Sequence, residues 1–240
     1  MNITIFGLSQ NSAAQHMDYR IEKTIEDLHR LKAKRYCELG PGKGQISIGL
    51  KKAGNEVICV EAPWAVEANK VWAKENDVKM YLFEFFTGDF GSIEEDVDCF
   101  FLAHAIAHFR FSPYILFRKI YDSLPSGGYF YISTVNGSSF ENVSRLFKGL
   151  PVTGKVNETL DPGFTEVVKD FNKTDMHQIW DDWMHVKEYT MPELHEILKN
   201  VGFTIHCSEH RKLFSHWKRN LFIKLFPHLA DELIIIGKKP

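Results

Sequence analysis

The sequence predicts an α/β fold, a doubly wound and mostly parallel sheet with helices on both faces. Three observations predict it. From about residue 16 to residue 135, short apolar runs alternate with amphipathic stretches, the order expected of parallel strands joined by helical crossovers. The apolar runs are nearly continuous, as strands covered on both faces require. The first run ends directly in a glycine-rich turn, Gly40-Pro-Gly42-Lys-Gly44, where such sheets bend at the carboxyl ends of their strands.

Each element has its own signal. Ile21, Ile25, Leu28 and Leu31 fall three or four residues apart and predict an amphipathic helix over His16–Leu31. Arg35–Leu39 is the first strand. Ile46–Ala53 reads as a helix stopped by Gly54-Asn55, and Glu56–Val60 as a second strand ending at Glu61. Ala65–Lys74 is helical, Val78–Phe86 strand-like, and Val97–Ala103 strongly apolar. Ser112–Leu124 predicts a helix, Pro125-Ser-Gly-Gly128 a turn and Tyr129–Val135 a strand. The period then breaks. Asn136–Val186 mixes Gly, Pro, Asn, Asp and Trp, and is expected to be a lid or acceptor-binding segment inserted into a single domain over 1–240. A helix over Met191–Asn200 follows, with Thr190 at its N-cap and Glu193 three residues on. Gly202-Phe203 turns into a strand at Thr204–Cys207, and Glu232–Gly237 is the last strand.

Composition narrows the function classes. With 44% hydrophobic residues in 240 and a net charge of −2, the chain has a packed globular composition without the global basic excess of a nucleic-acid binder. Cys37, Cys59, Cys99 and Cys207 form no CxxC pair, and three of them lie in apolar runs. Buried, reduced thiols in a reducing compartment are expected. No signal peptide and no uninterrupted apolar stretch of roughly 18 residues is visible, so a cytoplasmic location is expected.

The chemistry gathers at the glycine loop. Glycines let the backbone turn tightly and let a ligand touch the main chain. Seventeen residues beyond Gly44 stands Glu61, at the end of the second strand. A carboxylate there can accept hydrogen bonds from both hydroxyls of a ribose. The spacing is GxGxG, because Gln45 stands where a dinucleotide fingerprint has its third glycine. Glu38 precedes the loop; it would repel a pyrophosphate but suits the ammonium of a cationic amino acid.

Glu38-Leu-Gly-Pro-Gly-Lys-Gly44 resembles the first motif of class I S-adenosylmethionine-dependent methyltransferases. Glu61 matches their acid after the second strand, and Gly88-Asp89-Phe90 resembles the motif whose acid meets the adenine amino group. Asp98–His108 resembles the fourth-strand stretch, which often ends in Glu-His; His108 matches the histidine, while Ala107 replaces the glutamate. Pro125-Ser-Gly-Gly128 is also typical. The resemblance covers about 15–135 and 185–240. It implies a seven-stranded sheet with an antiparallel final strand, and S-adenosylmethionine as cofactor, held by Glu38, Gly40, Gly42, Gly44, Glu61 and Asp89, with His104 beside it.

Methyl transfer from a sulfonium chiefly requires that the acceptor be positioned. A hydroxyl acceptor also gains from a general base, which histidine suits near neutral pH. His104 and His108 are four apart and would share a face on a helix, a spacing also met in metal sites, but no metal is expected. His108 is expected to line the cofactor or acceptor pocket. His185-Val-Lys-Glu-Tyr-Thr190 resembles a stretch of methyltransferases that act with surface-polysaccharide and sugar-modifying enzymes, with Lys187 replacing their arginine. His185 is therefore the first candidate for the base or an acceptor-orienting residue, the alternative being that it only fixes the lid. Trp180, Trp183 and Tyr189 could form a platform for a sugar ring or a small core of the insertion. A hydroxyl of a sugar or other small polar molecule is the expected acceptor. No Asn-Pro-Pro-Tyr-type motif or RNA module points to nucleic acid. The basic aromatic segment 210–227 is expected to be one amphipathic helix, packed on the sheet or in peripheral contact with an anionic membrane. A nucleotide-dependent oxidoreductase and a non-catalytic S-adenosylmethionine-binding protein remain alternatives at this point.

Overall fold

The computed structural model describes residues 12–83, 93–109, 111–153, 185–213 and 217–240. Among them the strands are β1 Arg35–Leu39, β2 Glu56–Glu61, β3 Lys79–Leu82, β4 Cys99–Ala103, β5 Tyr129–Val135, β6 Thr204–Arg211 and β7 Glu232–Lys238. They form one sheet in the order β3-β2-β1-β4-β5-β7-β6. Neighbours are parallel except β7, which runs antiparallel between β5 and β6. The helices are α1 Ser12–Leu31, α2 Gln45–Lys52, α3 Pro63–Glu75, α4 Pro113–Ser123, α5 Phe140–Phe147, α6 Met191–Val201 and α7 Trp217–Leu225. Strand order reverses between β1 and β4, which opens a crevice at their carboxyl ends.

The strand period of two divides the core between the two faces. Cys37, Phe100, Leu102, Phe130 and Ile132 pack toward Leu116, Phe117 and Ile120 of α4 and Leu194 and Leu198 of α6. Their neighbours Tyr36, Phe101 and Tyr131 turn the other way, onto Leu28 of α1 and Leu50 of α2. Cys37, Cys59 and Cys99 are buried free thiols and Cys207 is exposed. The predicted helix start at Thr190 is a full capping box, with Glu193 accepting from the Thr190 backbone.

Four expectations change. The stretch after β5 holds α5, capped by Ser139, whose side chain accepts from the Asn142 backbone. Its apolar end projects into solvent, with Phe147 88% exposed, so no buried stripe marked it. β6 continues to Arg211 through a register irregularity between Ile205 and Cys207; as an edge strand it tolerates the polar run His206–Arg211, which hid it. The segment 210–227 is consequently not one helix: His210 and Arg211 close β6, and α7 begins at Trp217. Among the described residues β3 is Lys79–Leu82, with Val78 and Phe83 outside it, and residues 84–86 of the predicted run lie outside the described residues. Most of the expected insertion, with Trp180 and Trp183, lies outside the described residues, as does Asp89.

Candidate functional site

The glycine loop leaves β1 with Gly40, Gly42 and Gly44 all at positive φ, and α2 starts at once. At Gly44 the requirement is double: φ is 68°, and a Cβ would come within 2.6 Å of the Trp72 ring. The loop lies against the end of β2. Glu61, nearly buried, accepts from the backbone N–H of Ala62 at 2.9 Å, from Asn69 Nδ2 at 3.1 Å and from the Gly42 N–H at 3.3 Å. The acid and the glycine loop predicted to share a ligand thus touch through Gly42.

Behind the loop lies a cavity of about 140 Å³, walled by Arg20, Ile21 and Thr24 of α1, by Glu38, Gly40 and Pro41, by Gln45 and Ile46, and by Ala103 and His104. Glu38 is 3% exposed and accepts from Ser47 Oγ at 2.5 Å. Burial pushes its carboxyl pKa up to about 8; the Ser47 hydrogen bond opposes this, and Glu61 adds to it. The unfolded carboxyl titrates near 4.5 and the folded one near 8. Below the first value the contribution of Glu38 to stability is fully present. It falls as pH rises through the window and is lost above the second, with a slope of at most about 1.4 kcal/mol per pH unit. Urea denaturation at stepped pH is expected to show this decline in the wild type, and Glu38→Gln is expected to remove it; an unaltered slope in the variant would assign the decline to another group.

His104 stands at the end of β4 with φ 56°. Its Nε2 is 2.5 Å from Oε1 of the fully buried Glu232, and its Nδ1 faces Arg20 Nη1 at 3.4 Å. Glu232 is the first residue of β7. Behind it lies Arg211, whose guanidinium reaches Asp27 at 2.6 Å, Glu209 at 3.1 Å and Glu232 at 3.8 Å. Burial works against that charge, but hydrogen bonds with Glu209 and Asp27 outweigh it and hold the Arg211 pKa above its ordinary value. His104 and His108 do not share a helical face. The chain leaves β4 through the left-handed His104 and enters a single 3-10 turn, Ile106–His108.

His108 meets His185 instead. Their rings stand edge to face with centroids 5.0 Å apart. The segment carrying His185 is fastened by the N–H groups of Val186 and Lys187, which both donate to the Ala107 carbonyl, and by the Gly137 N–H, which donates to the Tyr189 carbonyl. His185 Nδ1 lies 3.0 Å from Oε1 of Glu188, whose other oxygen accepts from Asn142 Nδ2 at 2.5 Å. A carboxylate at Nδ1 holds the ring proton there and leaves the Nε2 lone pair available to a substrate. The two histidines singled out as catalytic candidates are therefore neighbours, and one of them has an orienting acid.

A sequence model described as a methyltransferase domain matches residues 13–208. The chain belongs to this family. It is a class I S-adenosylmethionine-dependent methyltransferase, and S-adenosylmethionine is its cofactor. Solved methyltransferases share the fold. The magnesium protoporphyrin IX methyltransferase of Synechocystis PCC 6803, with bound SAH, superposes with a TM-score of 0.61 at 13% identity, over 98% of this chain and 90% of that one. The apo form of SibL gives 0.59 at 16% identity over 93% of this chain, which spans only 55% of SibL. A SAM-dependent methyltransferase from Archaeoglobus fulgidus gives 0.54 at 16% identity, over 91% and 94% of the two chains. A comparison with curated proteins finds no match.

The candidate site also brings together residues that sequence reading missed. Arg20 reaches the cavity from α1, and its buried Nε has no hydrogen-bond partner among the described residues. Glu38 stands in the same wall with its carboxyl held largely neutral by burial, and a cationic group beside it would draw it back to the charged form. Glu232 and Glu188 orient histidines. Glu188 was within reach of sequence reading, three residues after His185; Glu232 carried no local sign.

Proposed function

We propose that this methyltransferase methylates a hydroxyl of a sugar, glycan or similar small polar molecule, and that His185 takes the acceptor's proton. One observation carries the reading: the His185–Glu188 pair at 3.0 Å, standing against His108 beside the end of β4. S-adenosylmethionine supplies the activated methyl group. Glu61 grips its ribose, the backbone of Gly40, Gly42 and Gly44 lies along it, and Asp89 meets its adenine. Glu38 takes the ammonium and Arg20 the carboxylate, while His104, fixed by Glu232, lines the same pocket. At the acceptor, His185 Nε2 receives the hydroxyl proton, Glu188 stabilises the resulting imidazolium, and His108 orients the acceptor. The single domain spans 1–240, and its segment 136–186 supplies the acceptor-binding part.

The test is a tritiated-methyl screen over sugars, nucleotide sugars and glycolipids, repeated with His185→Ala. Turnover in the variant is expected to fall about 10²–10⁴-fold with cofactor affinity unchanged; equal turnover on every acceptor would refute the role.

A weak peripheral membrane contact through 210–227 remains part of the proposal, in reduced form. Among the described residues no helix is long and apolar enough to cross a membrane. Leu221, Phe222, Leu225 and Phe226 are exposed, and Phe222 touches Phe140 of α5. The basic complement is smaller than expected, since Arg211 is buried and Arg219 pairs with Asp231. Flotation with anionic vesicles is expected to be salt-sensitive and to be lost in Phe222→Ser/Leu225→Ser; no flotation at low salt would end the idea.

A further inference from the structure

The His185–Glu188 pair is held from behind by α5. Ser139 caps that helix by accepting from the Asn142 N–H at 3.3 Å. Asn142 is the third residue of the helix, and it is buried. Its Nδ2 meets three oxygens: Glu188 Oε2 at 2.5 Å, the Asn136 carbonyl at 3.2 Å and the Gly137 carbonyl at 3.3 Å. Carbonyls only accept, and so does an ionised carboxylate, which fixes the amide with its NH2 group toward them. That group has two protons. The short contact to Glu188 takes one, and the two carbonyls share the other.

The anchor is itself firm. Asn136 donates through Nδ2 to the His228 carbonyl at 2.8 Å and the Ala230 carbonyl at 2.7 Å, which ties the turn after β5 to the chain just before β7. The Gly137 N–H donates to the Tyr189 carbonyl at 2.8 Å, and a Cβ on Gly137 would come within 2.5 Å of the Glu188 carbonyl oxygen. Only glycine lets the two stretches lie so close. The Glu188 side chain is 7% exposed and that of His185 31%. Each carboxylate oxygen therefore has a protein partner of its own, Oε1 at His185 Nδ1 and Oε2 at Asn142.

We propose that Asn142 is a positioning residue for methyl transfer, acting through Glu188 on the His185 ring. Held at Oε2, the carboxylate keeps Oε1 aimed at Nδ1. The ring proton then stays on Nδ1, and the Nε2 lone pair stays available to the acceptor's hydroxyl. When Oε2 loses this donor the carboxylate turns, and the ring can carry its proton on Nε2, where it no longer accepts. The effect on turnover rests on His185 as the acceptor's base; the hold on the ring does not.

Nitrogen NMR of the histidine rings, with S-adenosylhomocysteine bound and at about pH 8, reads the tautomer directly. The wild-type His185 ring is expected in the Nδ1–H form. Asn142→Asp keeps the shape and replaces the donor with an acceptor; Asn142→Leu removes the donor and keeps water out. Both are expected to move the ring to the Nε2–H form or a mixture, with circular dichroism and S-adenosylhomocysteine affinity unchanged. A tritiated-methyl assay over sugars, nucleotide sugars and glycolipids is expected to show turnover about 10–100-fold lower in either variant. In a Glu188→Gln background, Asn142→Leu is expected to add little, because the two act by one route. Losses that multiply instead would mean that Asn142 serves only the fold, and would overturn the proposal. So would a wild-type ring protonated on Nε2, or an Nδ1–H form that survives both substitutions. A tautomer that shifts while turnover stays equal would leave the hold on the ring standing and refute His185 as the base.

Discussion

Glu61→Ala is expected to weaken S-adenosylhomocysteine binding by about 100-fold or more, since each hydrogen bond between a ribose hydroxyl and this carboxylate contributes roughly 1.5–3 kcal/mol. The carboxylate has a second task, because it also ties the Gly42 N–H to the end of β2. Glu61→Gln separates the two. An amide oxygen can still accept from Gly42 and from one hydroxyl, so the glutamine variant is expected to fall between wild type and alanine. Calorimetry with S-adenosylhomocysteine measures both, with circular dichroism to show that the variants fold. Wild-type affinity in Glu61→Ala would remove this carboxylate from the cofactor site.

The second large effect is on stability. Arg211→Met is expected to cost about 3–5 kcal/mol, the usual penalty for breaking a buried ion pair while its partners stay charged. For a chain of this size that is a fall of about 10 °C in Tm. The partners that lose the guanidinium are Asp27, which keeps Arg30 at 3.6 Å, and the fully buried Glu232, which keeps His104 at 2.5 Å. Arg211→Met/Asp27→Leu removes the carboxylate nearest the guanidinium together with it and is expected to recover part of the loss. If the double variant were less stable than the single, the cost would lie in packing rather than in stranded charge. The single variant is also expected to weaken cofactor binding, because Glu232 holds His104 at the pocket wall.

How far the sequence could carry the reading depended on how local each signal was. β1, its glycine turn and the acid after β2 lie within 27 residues and follow strict backbone and spacing rules, so Glu38, Gly40, Gly42, Gly44 and Glu61 could be named directly. The pair His108 and His185 was nameable as two separate candidates, but their contact depends on the Ala107 carbonyl receiving Val186 and Lys187, which no periodicity encodes. Glu232 lies 128 residues from His104; a carboxylate opening an apolar strand looks like any solvated strand end until the sheet order is known. Arg20 was hidden in a helix read only for its apolar stripe. In β6 and α5 the difficulty was different: an edge strand and a short surface helix bury too little to leave a hydrophobic rhythm.

The antiparallel strand β7 slots between two strands made before it, and its first residue reaches the wall of the cofactor pocket. A ribosome-bound chain therefore cannot set His104 in its finished surroundings until Glu232–Lys238 has emerged and threaded into place. The pocket wall is thus completed only once that strand has paired, and a chain cut before Glu232 is expected to lose the pocket as well as the sheet.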